Sequence, residues 1–392
     1  MAEPPGRRPD NAPTPRTAAV TANSAPPPDP TRSATRICHR ANQAARCPIG
    51  TPHRPPDRSA ARPSTAAPLG QSTTIAHTGE FAVIDVVTSG MSQPPTTVIG
   101  PGDDAAVVAT PDGRVVASVD VLVDGVHFRT DWATGEQIGQ RAALAAMADI
   151  AAMGAAPTAL LVGLSAPPST PTDLIAAIGR GLNEEAVKAG AGVVGGDLTR
   201  SEVLTIAVTV LGDLRGGEPV RRSGARAGDV VAVTGRLGWA AAGLAVLSRG
   251  FRSPAAAVGA YRVPDPPLQA GIVAAESGAT SMIDVSDGLL ADLGHIASAS
   301  GVTINVVTAR LPVNPRLVEV ASALGRNHLE WALTGGDDHA LAATFPHGAV
   351  LPPVWTNIGS VSEGAPEGST SGGAVAVDGV PWEQAGGWDH FG

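Results

Sequence analysis

Aspartates stand beside glycines at several places in this chain, and four of them read as the ends of strands or helices with chemistry to offer: Gly102-Asp103-Asp104, Gly195-Gly196-Asp197, Asp287-Gly288 and Gly335-Gly336-Asp337-Asp338. The first lies in the stretch Val98 to Asp120, VIGPGDDAAVVATPDGRVVASVD, where two strand-like runs flank a Gly-Pro-Gly-Asp-Asp loop and the second run ends in another acid. That layout gathers Asp103, Asp104 and Asp120 at one end of a small sheet. Two like charges about 4 Å apart cost on the order of 4 kcal/mol at an effective dielectric near 20, so such a group calls for a proton or a cation. Carboxylates are hard oxygen ligands, and Mg2+ commonly sits between one or two of them and substrate phosphates. A plain turn capped by Asp104 accounts for this loop equally well, because Gly, Pro and Asp dominate turns.

Asp149 carries more information. Ile138, Ala142, Ala145, Asp149 and Ala152 follow the spacing of one helix face, so a carboxylate stands in an apolar stripe, where an unpartnered charge costs several kcal/mol. It is read as a metal ligand, against the alternatives of reaching water or pairing with Arg141. In Gly195-Gly196-Asp197 the glycines let backbone approach a ligand and the acid stands at the tip of a strand; a tight turn is the alternative. In IDVSDGLLADLGH, Asp284 and Ser286 share a face at a strand end and Asp287 opens a helix, as an N-cap or as part of a cation and phosphate contact. His127, in DGVHF, is a structural histidine or a donor to a substrate oxygen. Arg222, in RRSG, grips phosphate with its planar fork or is a solvated linker charge.

The elements that must position these groups mix strands and helices. A helix over GEFAVIDVVTSG precedes strands at Thr97 to Ile99, Ala105 to Ala109 and Val115 to Val123. The spacing then predicts a helix from Glu136 to Met153, opened by a capping box of Thr134 and Gln137, a strand at Ala159 to Leu164, a helix at Asp173 to Ala189, and strands at Val193 to Gly195 and Val203 to Leu211. RGGEPVRRSGARAG marks a domain junction. Beyond it come a strand at Val230 to Thr234, helices at Trp239 to Ser248 and Leu268 to Ser277, a strand at Ser281 to Val285 and a helix at Leu289 to Ala299. A strand at Thr303 to Val307, a helix at Pro315 to Leu324, a strand at His339 to Phe345 and a hairpin turning at Asp378-Gly379 complete the pattern. It favours α+β domains over a doubly wound sheet, with an extension over 1–74 and domains at 75–213 and 214–392.

Composition narrows the function. Ten of the chain's 27 basic residues and four of its 36 acids fall in residues 1–78, leaving 17 basic against 32 acidic and a net charge of −15 for the rest. An acidic body of this kind argues against a nucleic-acid surface, and no run of apolar residues is long enough to span a membrane. The Arg- and Pro-rich beginning lacks the apolar core of a secretory signal, and its prolines would break a transit-peptide helix; disorder, or an extension added by an upstream start codon, accounts for it. Both cysteines, Cys38 and Cys47, lie there, so the folded body has no disulfide and a reducing cytoplasm is expected. The single lysine is Lys188 and no phosphate-loop motif exists. Gly190, Gly192 and Gly195 fit a dinucleotide fingerprint only in the wrong order, helix before strand.

Taken together, GEFAVID, GPGDDAAVV, SVDVLVDGVHF, MADIAAMGA, GGDLTR, RRSGARAGD, IDVSDGLLADLGH, WALTGGDDHAL and GGWDHFG resemble the thiamine-monophosphate kinases, of the superfamily that includes aminoimidazole ribonucleotide synthetase and selenophosphate synthetase. The segments run in order from Gly79 to the C-terminus. The resemblance implies a two-domain aminoimidazole ribonucleotide synthetase-like fold, a homodimer with paired N-terminal sheets, and ATP-dependent phosphorylation of thiamine phosphate to thiamine diphosphate. It implies that Asp104, Asp120, Asp149, Asp197, Asp284 and Asp287, with Ser118 and the Val119 carbonyl, share several Mg2+ ions. Asp104, Gly196, Asp197, Arg222 and Ser286 would contact ATP, and His127, Asp337 and Trp388 thiamine phosphate. Glutamate is frequent in the family where Asp337 stands, and His339 and Ala340 replace a usual tyrosine and acid, which shortens one substrate contact. Competing readings are a superfamily member with a different acceptor and a non-catalytic nucleotide-binding scaffold. The histidine of DGVHF and the closing GGWDHF favour thiamine phosphate, and six separate acidic positions argue against a scaffold.

Overall fold

A computed structural model describes residues 73–101, 106–364 and 373–382. Its elements are, in order, α1 (Ile75–Thr78), α2 (Glu80–Thr88), β1 (Thr97–Ile99), β2 (Val107–Val108), β3 (Val116–Val123), α3 (Gly135–Ala152), β4 (Ala156–Ala166), α4 (Thr172–Lys188), β5 (Gly192–Arg200) and β6 (Thr205–Asp213). After the junction come β7 (Val230–Thr234), α5 (Trp239–Ser248), α6 (Ala255–Arg262), α7 (Leu268–Glu276), β8 (Ser281–Val285), α8 (Leu289–Ser300) and β9 (Val302–Val306). The last are α9 (Pro315–Leu324), α10 (His328–Thr334), β10 (Ala340–Phe345), β11 (Thr356–Glu363), β12 (Ala374–Val377) and β13 (Val380–Pro381). Among the described residues no helix is long and apolar enough to cross a membrane.

Two sheets carry the α+β architecture. The first has the order β3-β6-β4-β5, antiparallel except for the parallel β4/β5 pair, and the second the order β13-β12-β9-β11-β7-β10-β8. Between them runs α3. Its first turn is closed by the expected capping box: the Thr134 N–H donates to Gln137 Oε1 at 3.1 Å and the Gln137 N–H to Thr134 Oγ1 at 3.3 Å. Fourteen of its 18 residues are buried, half of them alanine, so the helix is covered on nearly every side rather than along one stripe. Ile138, Met147 and Ile150 pack with Leu160, Ile178, Ile206 and Val208 of the first lobe. At its other end Ala151 and Ala152 join Met282, Leu341 and Phe345 of the second. Gly271 of α7 makes this contact possible, because a Cβ there would meet the Ala151 carbonyl oxygen at 2.1 Å.

Strand parity then places the acids. On β3, Leu122 is buried while Val119 and Val121 are exposed, so Ser118 and Asp120 lie on the α3 side. On β8, Met282 packs with Ala151 whereas Ile283 and Val285 face the opposite core, so Asp284 also lies on the α3 side.

Most predicted elements are found, with four additions: α1, α6, α10 and β11 had no expectation. One boundary differs in a way that matters. β5 was expected to stop at Gly195 but continues to Arg200, pairing with β4 throughout. Gly196 serves that pairing, since a Cβ there would sit 2.2 Å from the Val162 carbonyl oxygen.

Candidate active site

Ser118 from β3, Asp149 from α3 and Asp284 from β8 line one cavity of about 520 Å3, together with Arg221, Arg222 and Ser223 of the junction. The Ser118 hydroxyl donates to Asp149 Oδ2 at 2.5 Å. Asp284 is buried and its Oδ2 lies 3.2 Å from His339 Nδ1.

Burial and mutual charge act on the same carboxyls. Burial first, then the charges of Asp284 and Asp120, push the Asp149 carboxyl up to about 6 against the opposing Ser118 hydrogen bond. Asp120 is raised by burial and by Asp284 and Asp337, while His339 and His127 pull it the other way. Burial disfavours a charged His339, yet its hydrogen bond to Asp284 and the charges of Asp284, Asp337 and Asp120 outweigh that and leave the imidazole raised. Asp120, Asp149, Asp284, Asp337, His127 and His339 therefore form one electrostatic neighbourhood.

The turn after β10's partner strand is locked to a second loop. The Asp337 N–H donates to the Ser286 carbonyl at 2.8 Å and the His339 N–H to the Val285 carbonyl at 2.9 Å. Asp337 and His339 both hold positive φ, at 67° and 51°, which is uncommon for residues with a side chain. Between them Asp338 is buried and accepts the N–H groups of Gly238 and of Ala240, the latter at 2.8 Å, at the start of α5. Burial pushes its carboxyl up to about 7. Packing opposes ionisation of Asp337, but Arg141, His339 and His127 prevail and hold it below the usual carboxylate range. Arg141 Nη2 lies 2.6 Å from Asp337 Oδ2.

Of the two roles open to Asp287, the N-cap is taken by its neighbour. Gly288 is the N-cap of α8, and the buried Asp292 reaches back to accept the N–H of Asp287 at 3.1 Å and of Gly288 at 3.0 Å. Burial, with the charges of Asp284 and Asp287, pushes Asp292 up to about 7. Carboxylate and imidazole atoms of Asp287, Asp292 and His295 lie within 4.8 Å of one another.

Several predicted residues stand apart. Asp104 and Trp388 lie outside the described residues. Asp197, expected at a strand tip, is in mid-strand; through its register with Gly163, Ala207 and Val121 it lies on the outer face of the first sheet. Asp120 aligns instead with Val208, Val162 and Gly196 on the α3 side, so the two acids are on opposite faces and three strand steps, about 14 Å, apart. Gly196 is occupied by the close approach of β4 described above. The Val119 side chain is 59% exposed on the outer face, with its backbone in register with Thr209. His127 Nδ1 accepts the Val123 N–H at 3.0 Å. Arg222 lines the cavity, and Ser286 holds the Asp337 turn through its carbonyl.

Four participants had no role in the sequence reading as site residues: Arg141, Arg221, Asp292 and His339. Arg141 had a signal, since Arg141, Ala145 and Asp149 recur at i, i+4 and i+8 along one ridge of α3. The fit of this site to a divalent cation is carried by its donor set, hard carboxylate and hydroxyl oxygens whose raised acids are disfavoured as bare anions.

The model of the N-terminal domain of AIR synthase related proteins matches residues 102–214. Thiamine-monophosphate kinase of Mycobacterium tuberculosis (strain ATCC 25618 / H37Rv) is 47% identical over 323 residues, spanning 82% of this chain and 94% of that relative. The chain belongs to the thiamine-monophosphate kinase family. Thiamine-monophosphate kinase from Stenotrophomonas maltophilia K279a shares the fold with a TM-score of 0.65 and 31% identity, over 76% of this chain and 95% of that one. The structure of AaThiL complexed with AMPPCP and TMP gives a TM-score of 0.66 and 31% identity, over 80% and 97%.

Asp149 yields a prediction about stability. Its folded carboxyl, at about 6, lies above the ordinary 3.8, so the cost of ionising it is absent below about pH 4 and complete above about pH 6. Asp149→Asn removes that cost. After allowance for partial exposure and the altered Ser118 bond, urea denaturation at pH 7.5 should show the variant more stable by about 2 kcal/mol, with the gain vanishing near pH 4. Equal or lower stability at pH 7.5 would refute the assignment of a strained carboxylate.

Proposed function

We propose that this chain transfers the γ-phosphoryl group of ATP directly to the phosphate of thiamine phosphate, giving thiamine diphosphate and ADP. The observation that carries the reading is the convergence of Asp120, Asp149 and Asp284 around α3, beside a cavity that also presents Arg221 and Arg222. Family membership and the likeness to AaThiL, whose structure holds AMPPCP and TMP, support the choice of donor and acceptor. In this reading Asp120, Asp149, Asp284 and Asp287, with Ser118, hold Mg2+ ions, and Asp104 and the Val119 carbonyl join them. Bound there, the metal supplies positive charge to phosphate oxygens. Arg222, with Arg221 beside it, meets the nucleotide phosphates, as do Gly196 and Ser286. His127, Asp337 and Trp388 meet thiamine phosphate.

An oxygen of the acceptor phosphate forms the new bond to the γ-phosphorus as the bond to the bridging oxygen of the β-phosphate breaks, and ADP departs with that electron pair. The acceptor is already an anion, so no strong base is needed; the protein positions the two phosphates in line and neutralises their charge. We take residues 75–213 and 214–392 as the two domains, with the substrates in the cleft between them.

A homodimer belongs to the same proposal. Val119, Val121 and Leu161 are 59%, 49% and 37% exposed on the outer face of the first sheet, an apolar surface that a second copy would cover, with Asp197 inside the contact. Sedimentation should give a dimer for the wild type and monomers for Val121→Asp; a monomeric wild type would overturn this part.

The activity has a direct test. With ATP and thiamine phosphate, thiamine diphosphate should accumulate only as Mg2+ is added from zero, and Asp149→Asn or Asp284→Asn should lower kcat at least a hundredfold, on the order of 3 kcal/mol of transition-state stabilisation. Product formation unaffected by chelator, or a faster reaction with a different phosphorylated acceptor, would contradict it.

A further inference from the structure

We propose that Arg141 is a positioning residue that fixes the orientation of Asp337 toward the phosphoryl acceptor, and so governs acceptor binding without touching a substrate. The inference rests on the reading above, in which Asp337 contacts thiamine phosphate.

Arg141 is an unusual residue for its place. It stands in the middle of an alanine-rich buried helix and is only 3% exposed. Guanidinium groups are seldom buried this far unless paired with an opposite charge. Here one side of the fork, Nη1, donates to the Tyr261 carbonyl, and the guanidinium carbon lies 5.2 Å from the centre of the Tyr261 ring. The other side, Nη2, lies 2.6 Å from Asp337 Oδ2. With its flat fork held by Tyr261, the free end can point in one direction only, and that direction is Asp337.

Asp337 needs such a partner. Its side chain is 45% exposed, open enough to meet a ligand, while its other oxygen, Oδ1, lies 4.0 Å from His339 Nε2. The backbone beneath is set from both sides, by the Ser286 carbonyl and by the anchoring of Asp338 on α5. What the backbone leaves undetermined is the rotation of the carboxylate. Arg141 determines it. A buried ion pair adds little to stability once its desolvation is counted, so orientation is the better account of why a guanidinium occupies this site.

The position of Arg141 on α3 adds a geometric consequence. Arg141 and Asp149 are eight residues apart, about 12 Å along the axis of one rigid helix. Asp149 serves the phosphoryl-donor end and Arg141, through Asp337, the acceptor end. One helix therefore sets the span between the two substrates.

The experiment is steady-state kinetics on the full-length protein with ATP and thiamine phosphate each varied, for the wild type, Arg141→Lys, Arg141→Met, Asp337→Asn and the double variant Arg141→Met/Asp337→Asn. Arg141→Lys keeps the charge and loses the fork, and serves should Arg141→Met fold poorly. KM for thiamine phosphate should rise about tenfold in each single variant while KM for ATP stays within about twofold, and the double variant should be no worse than Asp337→Asn alone. Both KM values moving together, a lowered melting temperature with unchanged acceptor KM, or additive losses in the double variant would overturn the role of Arg141 while leaving the proposed activity standing. A wild type that makes no thiamine diphosphate would instead remove the reading on which it rests.

Discussion

Carboxylates that repel one another are kept together here by a helix packed on two sides. Asp149 on α3 feels the charges of both Asp120 on β3 and Asp284 on β8, and the helix packed between the two sheets is what brings the three acids together. The arrangement resists the charges it contains: burial and like charge raise Asp149 to about 6 and push Asp120 upward as well. What offsets this is apolar and unspecific. Ala151 and Ala152 are buried against Met282, Leu341 and Phe345, and Ile138, Met147 and Ile150 against the first lobe. Each fully buried Ile, Leu, Met or Phe side chain among them contributes about 1.5 to 3 kcal/mol, so a few suffice to hold a strained acid in place. A chain with 3% aromatic residues builds this from close backbone approach instead of large rings, which is why Gly271 meets Ala151 directly.

The acids of the site fall into two kinds by what their oxygens touch. Asp338 and Asp292 each accept two backbone N–H groups, at the start of α5 and in the turn before α8, and their surroundings leave them raised to about 7. They shape loops. Asp149 and Asp284 meet a hydroxyl and an imidazole beside the cavity, with Asp120 in the same electrostatic neighbourhood, and keep oxygen lone pairs for something else. Asp337 is intermediate, paired with Arg141 through one oxygen while its side chain is half exposed. The interlocking of the Ser286 and Asp337 turns ties the two kinds together, so a change in the shaping acids would be felt at the others.

The chain spells out its elements and its motifs, and hides the relations between them. The capping box at Thr134 and the apolar stripe that includes Asp149 are local facts, and α3 forms where they predict. α6 and α10 are short helices whose existence depends on packing around Trp239, Tyr261 and Trp331, which no local period reveals. Gly195-Gly196-Asp197 reads as a strand tip whose glycines admit a ligand; in the fold the missing side chain of Gly196 serves the contact with β4, and the strand runs on. Which face Asp197 occupies follows only from its register across three neighbours. Similarly, His339 read as a departure from a family pattern, and only the pairing of β10 with β8 brings its ring to Asp284. Arg141 was considered as a partner for Asp149; on the helix it is two turns away and reaches Asp337 instead.

A cation site shared by three elements would bind Mn2+, and electron paramagnetic resonance in the presence of a non-hydrolysable ATP analogue tests it most directly. Wild-type protein should bind more than one Mn2+ per chain, and Asp120→Asn, Asp149→Asn and Asp284→Asn should each lower the number bound or weaken the affinity about tenfold or more. Binding of the same stoichiometry and affinity in all three variants would show that these carboxylates do not form a common site.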